Sequence, residues 1–328
     1  MKVIHVGDNN WVFEDEVKQQ ALKQLRKKHA ADDKEIEVFI KSQVALGRGV
    51  EDVMAEVMSK LQARMQADFA DLDDMPITPF EVIQNVWRDE GFDAAILAAE
   101  SYILSHEEDP DGYFNLAYLY EVAEEHFSTL LASREAVRLY LQLFPKKFDW
   151  QKSQLPWGFF ENRPFLRALF QLAQAYAKNG EYQKACHYAE TLLKICPDDN
   201  IGIREWLVEW YMNTQDYERI LQVCADYPED VLANVVFGSV IAYCYQNKLN
   251  AAKAAWGDAR DSLPKVAHEI LKKRHSRPRG YDDNAYGMEI GGADQAYSYW
   301  QDMGQWWEKN DTAQALIELM RAEKATKK

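Results

Sequence analysis

Apolar residues in the middle of this chain recur at helical spacing. Leu169, Leu172, Ala173 and Tyr176 stand at i, i+3, i+4 and i+7, one face of a helix within residues 166–199. Gly180 permits a turn after that helix, Ala185 is small enough for a second helix to lie close to the first, and Pro197 ends the second. One such pair cannot bury its own apolar face, so neighbouring pairs must cover it. The register continues. Tyr176, Tyr211 and Tyr243 hold the same place in successive first helices; Tyr182, Tyr217 and Leu249 follow each turn; Pro197, Pro228 and Pro264 close each second helix. By subtraction the tyrosines are 35 and 32 residues apart and the prolines 31 and 36. The middle unit departs from the pattern, with Gln215 at the turn and Ile220 where the small residue belongs.

Upstream, Thr78 and Pro79 read as the start of a helix to about Glu90, with Gly91-Phe92 at the turn into a partner helix, residues 93–105. Residues 113–125 and 130–144 form a further, looser pair closed by Pro145. Residues 1–75 read as a separate helical region, a cap more than a domain. Residues 1–6 are a strand or extended arm tacked down by Trp11 and Phe13, and helices follow at 14–29, 34–46 and 50–69. The acidic run 68–74 before Pro76 and Pro79 is the clearest boundary. The organisation is therefore 1–75, helical pairs at 76–145, an aromatic insert at 146–163, three units at 164–264, and a basic loop with capping helices at 265–328. Trp150, Trp157, Phe159 and Phe160 are too many large apolar groups for a free linker, so the insert folds back onto the helices.

The ordered set Leu169, Leu172, Ala173, Ala175, Tyr176, Gly180, Tyr182, Ala185, Leu192 and Pro197 resembles the tetratricopeptide repeat (TPR), with Leu169 where Trp is common. The resemblance implies an all-α, right-handed helical-repeat solenoid whose first helices line a concave peptide-binding surface. The repeat's contact positions fall here on Arg167, Phe170, Gln171, Gln174 and Lys178, then Glu205, Trp206, Glu209, Met212 and Asn213, then Asn234, Phe237, Ile241, Tyr245 and Gln246. The lysine and asparagine set of TPR clamps for a C-terminal carboxylate is absent. The tail, through Pro264, Val266, Leu271, Ala296, Tyr299, Trp307 and Ala315, resembles uncharacterised bacterial TPR proteins and the suppression-of-tumorigenicity family.

Composition narrows the function. A net charge of −15 disfavours a protein that coats nucleic acid or anionic membrane. The start, MKVIHVGDNNWVF, has only a short apolar run before Gly7 and Asp8, and no stretch reaches membrane-spanning length, so a cytoplasmic protein is expected. The four cysteines, without a C-x-x-C pair, read as reduced and buried. Glu107, Asp109, Asp111 and Gly112 open like a calcium loop, but Tyr118 stands where its bidentate Glu belongs. No catalytic or phosphate-binding motif is present, so neither enzyme activity, metal nor cofactor is expected. The expected work is protein–protein interaction as a scaffold or adaptor. A peptide or helix of a partner would be held by Arg163, Arg167, Phe170, Gln171, Gln174, Trp206, Glu209, Asn213, Phe237 and Tyr245. Arg163 and Arg167, four apart, are spaced to receive a carboxylate. Two alternatives stand beside this reading. One is a nucleic-acid-associated factor using Lys272, Lys273, Arg274, Arg277 and Arg279; the other is a regulatory subunit of an enzyme complex.

Overall fold

The computed structural model describes residues 1–14, 36, 38–43, 53, 56–58, 79–282 and 288–326. The helices expected across 14–29, 34–46 and 50–69 lie largely outside the described residues, as does the acidic boundary; residues 38–43 and 56–58 are helical.

The helical pairs are α1 (Pro79–Glu90) with α2 (Phe92–Ser105), α3 (Pro110–Val122) with α4 (His126–Gln142), α5 (Arg163–Lys178) with α6 (Tyr182–Ile195), α7 (Ile203–Thr214) with α8 (Tyr217–Asp226), and α9 (Ala233–Tyr245) with α10 (Leu249–Ser262). A short α11 (Pro264–Ile270) leads to a last pair, α12 (Ala293–Lys309) and α13 (Asp311–Thr326). The result is an all-α helical-repeat solenoid, apart from one β-hairpin among the described residues.

One turn repeats through it. Glu124, Gly180, Gln215 and Asn247 each follow a first helix at φ 58°, 77°, 60° and 57°. The next residue donates its N–H back to the carbonyl of Tyr120, Tyr176, Tyr211 or Tyr243, each at 2.9 Å. This back-bond caps carbonyls at the helix end and turns the chain into the second helix. The looser pair α3–α4 therefore shares the register of the other three, with Tyr120 in the recurring tyrosine's place. It also starts earlier than the sequence suggests. Asp109 caps α3 by accepting from the Asp111 N–H at 3.0 Å, and Pro110 sits in its first turn.

In the middle unit the missing small residue is supplied from the opposite helix. Ile220 of α8 packs at Gly238 of α9, where an added Cβ would lie 2.7 Å from the Cys224 Sγ and 3.3 Å from Ile220. The loops flanking this unit are stapled. Arg204 pairs with Asp199 and Asp230, whose side chains are 1% exposed. Asp199 accepts the N–H groups of Ile203 and Arg204, and Asp230 those of Val231 and Leu232.

At the N-terminus, the residues expected as a strand or extended arm form β1 (Lys2–Gly7), and β2 (Asn10–Glu14), which carries Trp11 and Phe13, pairs with it as an antiparallel hairpin. Its reason lies far off in the chain. Trp11 donates its N–H to the Gln154 carbonyl at 2.8 Å and Gln154 donates to that of Asn9, so the insert extends the hairpin's edge. Asn162 does not cap α5. Its Nδ2 donates to the Trp11 and Pro156 carbonyls, and its Oδ1 accepts from the Phe13 N–H. Phe13 then joins Tyr140, Phe144, Phe148, Trp150 and Phe165 in one aromatic cluster with centroids mostly 4.7–5.7 Å apart. The insert thus folds back and seals α4, α5 and the hairpin together.

Candidate peptide-binding surface

The first helices α5, α7 and α9 carry the carried-over contact positions, and α12 decides which of them stay open. It returns across α9. Gln295 Nε2 donates to the Val231 carbonyl at 2.7 Å, and the Tyr245 hydroxyl donates to that of Trp306 at 3.1 Å. Two expected contact residues are therefore corrected. Phe237 is fully buried against Trp256 and Tyr299, and Tyr245 is half-buried against Trp306 and Tyr217. Both are packed by the protein's own tail, which occupies the third unit's share of the surface.

The open part lies on α5 and α7. Trp206 is 39% exposed, and its ring meets Phe170 of α5 and Trp210, each at 6.1 Å. Glu205 and Glu209 flank Trp206 on α7, and Asp302 of α12 acts on both across the surface. Burial first, and the Asp302 charge second, push both glutamates up to about 7. The Asn234 backbone N–H and the Arg204 charge offset part of this for Glu205, while Asp230 adds to it. Desolvation pushes Asp302 up toward about 6, but its side chain is exposed, so water screens much of that effect. None of the three has a cationic ion-pair partner among the described residues.

Amides surround these carboxyls. Asn234 is buried, donates through Nδ2 to the Glu205 carbonyl at 3.3 Å, and leaves its Oδ1 without a donor. Asn213 donates to the Glu209 carbonyl at 3.0 Å, and Gln174 is half-buried. Gln171 is buried, with its Oε1 also lacking a donor, so it is a floor residue and not an exposed contact. Asp302 carried no signal in the sequence, since nothing local marks a tail residue as facing α7.

Among the described residues no carboxylate reaches the two arginines. The Arg163 guanidinium lies 4.0 Å over Phe160 and 4.9 Å over Trp157, and its Nε donates to the Trp157 carbonyl at 3.0 Å. Arg167 is exposed, with its guanidinium 5.4 Å over Trp157. Both work as cation–π braces on the insert.

The basic run is partly consumed by the fold. Lys272 and His275 reach the buried Glu269 at 2.5 Å and 3.0 Å, His275 stacks on Trp300 at 3.6 Å, and Arg321 donates to the Leu271 and Lys272 carbonyls. Arg277 lies over Tyr281, while Lys273, Arg274 and Arg279 are exposed. Two of the three calcium-loop carboxylates are engaged in the fold: Tyr102 donates to Asp109 at 2.5 Å and Tyr140 donates to Asp111. Among the described residues no group of three or more His, Cys, Asp or Glu is placed to hold a metal ion, and no helix is long and apolar enough to cross a membrane.

A family model described as transcriptional repressor TCF25 matches residues 115–312, more than half of the chain. The chain belongs to the Tcf25 family. A curated relative, ribosome quality control complex subunit 1 of Saccharomyces cerevisiae, is 25% identical over 133 residues, 39% of this chain and 18% of that protein. This Tcf25-family chain therefore spans under a fifth of that relative's length. Among solved structures, the apo form of RapI superposes with a TM-score of 0.46 at 14% identity, covering 89% of this chain and 97% of that one. YrrB, a TPR protein with an unusual peptide-binding site, gives 0.45 at 12% identity, covering 60% of this chain and 92% of that one. The TPR resemblance holds for the helical-repeat architecture. The expected tie to bacterial TPR proteins gives way to the Tcf25 family, with a relative from yeast.

Proposed function

We propose that this Tcf25-family chain is a non-catalytic protein-interaction scaffold that holds a segment of a partner against α5 and α7. The observation that carries this reading is Trp206. A large ring stays open beside Phe170, flanked by Glu205 and Glu209, with Gln174 and Asn213 alongside. A peptide surface needs an apolar anchor, acceptors for the ligand's N–H groups and a charge that selects sequence. Here the charge is negative, so the preferred segment carries Lys or Arg, whose cation can meet both the carboxylates and the face of Trp206. Arg167 stands at the other end, where a carboxylate of the same partner would be received. The yeast relative is by name a subunit of a complex, which accords with a scaffold.

The test is a tagged pull-down from native lysate with mass spectrometry, run beside an Arg167→Glu/Trp206→Ala variant. The reading predicts at least one protein lost from the variant while far-ultraviolet circular dichroism shows both chains equally folded at the temperature of the pull-down. An identical set of captured proteins with both chains folded would overturn it. A second reading rests on exposed Lys273, Arg274 and Arg279 and on the family's description as a transcriptional repressor. It predicts salt-dependent binding to nucleic acid that disappears when these three are neutralised.

A further inference from the structure

The opposite face of the solenoid carries a second opening, between the second helices α4 and α6. Helix α5 packs against both and forms its floor, and the insert props the far end by the 2.6 Å bond from the Leu155 N–H to the Ile195 carbonyl. Two adjoining clefts, of about 740 Å³ and about 430 Å³, share Val137, Leu141 and Tyr188 and so form one groove. It runs along α4 from Leu131 past Leu141, about 15 Å at 1.5 Å per residue. Leu131 and Leu141 are 48% and 41% exposed, unusual for leucines beside a deep core, and Phe144, Trp150 and Tyr188 are half-buried along the same wall.

The charges around it are uneven. Both carboxylates that line it are already neutralised: Glu135 accepts from Arg138 at 2.5 Å and 2.8 Å, and Glu190 is held by Arg219 and the Tyr211 hydroxyl. Three cations, Arg134, Lys146 and Lys194, line it with no carboxylate partner among the described residues. A positive rim on a chain of net charge −15 is a local exception, and it lies away from the acidic surface around Trp206. Two walls are the helices α4 and α6, with their backbone groups satisfied internally, and Pro145 with the insert residues Lys146, Phe148, Trp150 and Gln151 closes the end. An apolar channel running along α4 beneath a cationic rim matches the apolar stripe and acidic flank of an amphipathic helix, which brings its backbone hydrogen bonds already made. A span of about 15 Å takes the anchors of an i, i+4, i+7 stripe, two helical turns.

We infer that the α4–α6 groove docks an amphipathic helix of a partner protein, its apolar stripe seated on Leu131, Leu141 and Tyr188 and its acidic flanks facing Arg134, Lys146 and Lys194. The occupant differs in charge, conformation and location from the segment proposed for the Trp206 surface.

The probe is a pair of hydrocarbon-stapled helical peptides with the same leucine stripe, one flanked by glutamates and one by lysines, titrated into the full chain by fluorescence anisotropy. The glutamate peptide is expected to bind the native chain and the lysine peptide to bind it at least tenfold more weakly. Arg134→Glu/Lys194→Glu, both on the surface, should reverse that preference while Trp206→Ala leaves it unchanged. Equal binding of the two peptides, no binding of the glutamate peptide, or a charge-reversed variant that keeps the native preference would each overturn the assignment. So would sedimentation velocity showing that the groove is filled by a second copy, as a dimer that Arg134→Glu/Lys194→Glu dissociates.

Discussion

Gln215 holds a left-handed backbone, φ 60°, that glycine occupies at Gly180 in the preceding unit. A side chain in that region costs about 1 kcal/mol, and the surrounding back-bonds to Met212 and Tyr211 hold it there regardless. Gln215→Gly relieves that strain but loosens the unfolded chain, so a net gain of up to about 1 kcal/mol is expected, whereas Gly180→Ala should cost about 1–2 kcal/mol. Urea melts of the two variants check both signs. Gly238 makes the opposite case, a glycine kept for closeness and not for its dihedral angle. Gly238→Ala sets a methyl 2.7 Å from the Cys224 Sγ, and a loss of about 1–3 kcal/mol is expected. Cys224→Ala in the same chain should recover part of that loss, and a double-mutant cycle measures the coupling.

At the scale of elements, the Arg204 staple ties the loop before α7 to the loop before α9. Arg204→Ala leaves two nearly inaccessible carboxylates without their cation, and a loss of about 3–5 kcal/mol is expected in a urea melt. The tyrosine register that orders α5 to α10 was legible in the sequence because every contact it needs lies within one helix and one turn, whereas Tyr120 of the looser pair α3–α4 joined it only through the turn geometry. The staple was not, because Asp199 and Asp230 come from different units and no spacing rule pairs them. The hairpin was legible only in part: residues 1–6 read as a strand or an arm, but the second strand and the bonds from Gln154 and Asn162 that hold the hairpin down depend on residues far along the chain. The candidate surface divides along that line too. Phe170, Trp206, Glu209 and Asn213 follow from repeat position alone, and the structure leaves Trp206 open. Phe237 and Tyr245 occupy equivalent positions but are covered by α12, a helix that follows them by some fifty residues and whose docking site no local pattern encodes.

At the scale of the whole molecule, α12 does more than cover α9, because it carries Asp302 toward Glu205 and Glu209. Burial and Asp302 raise the two glutamates to about 7, against an unfolded value near 4.3. Between those values the folded chain binds more protons than the unfolded one, so stability falls as pH rises from about 4.5 to about 7 and levels off above. The three carboxyls titrate as a coupled set, with Arg204 and Asp230 beside Glu205 as the other charges acting on it. Glu209→Gln removes one proton-linked penalty and lightens the load on the other two groups. The variant should therefore be more stable than the native chain at pH 8, by about 1 kcal/mol after solvent screening, and closer to it at pH 5. Melts at the two pH values read this directly. An advantage that does not grow with pH would mean the carboxyls are hydrated and uncoupled. The same sign governs the proposed ligand. A lysine or arginine seated among these groups stabilises their ionised forms, so binding near pH 6 should release protons. Calorimetry of the bound segment in two buffers of different ionisation enthalpy counts them, and at pH 8, where the carboxyls are already ionised, the count should fall toward zero.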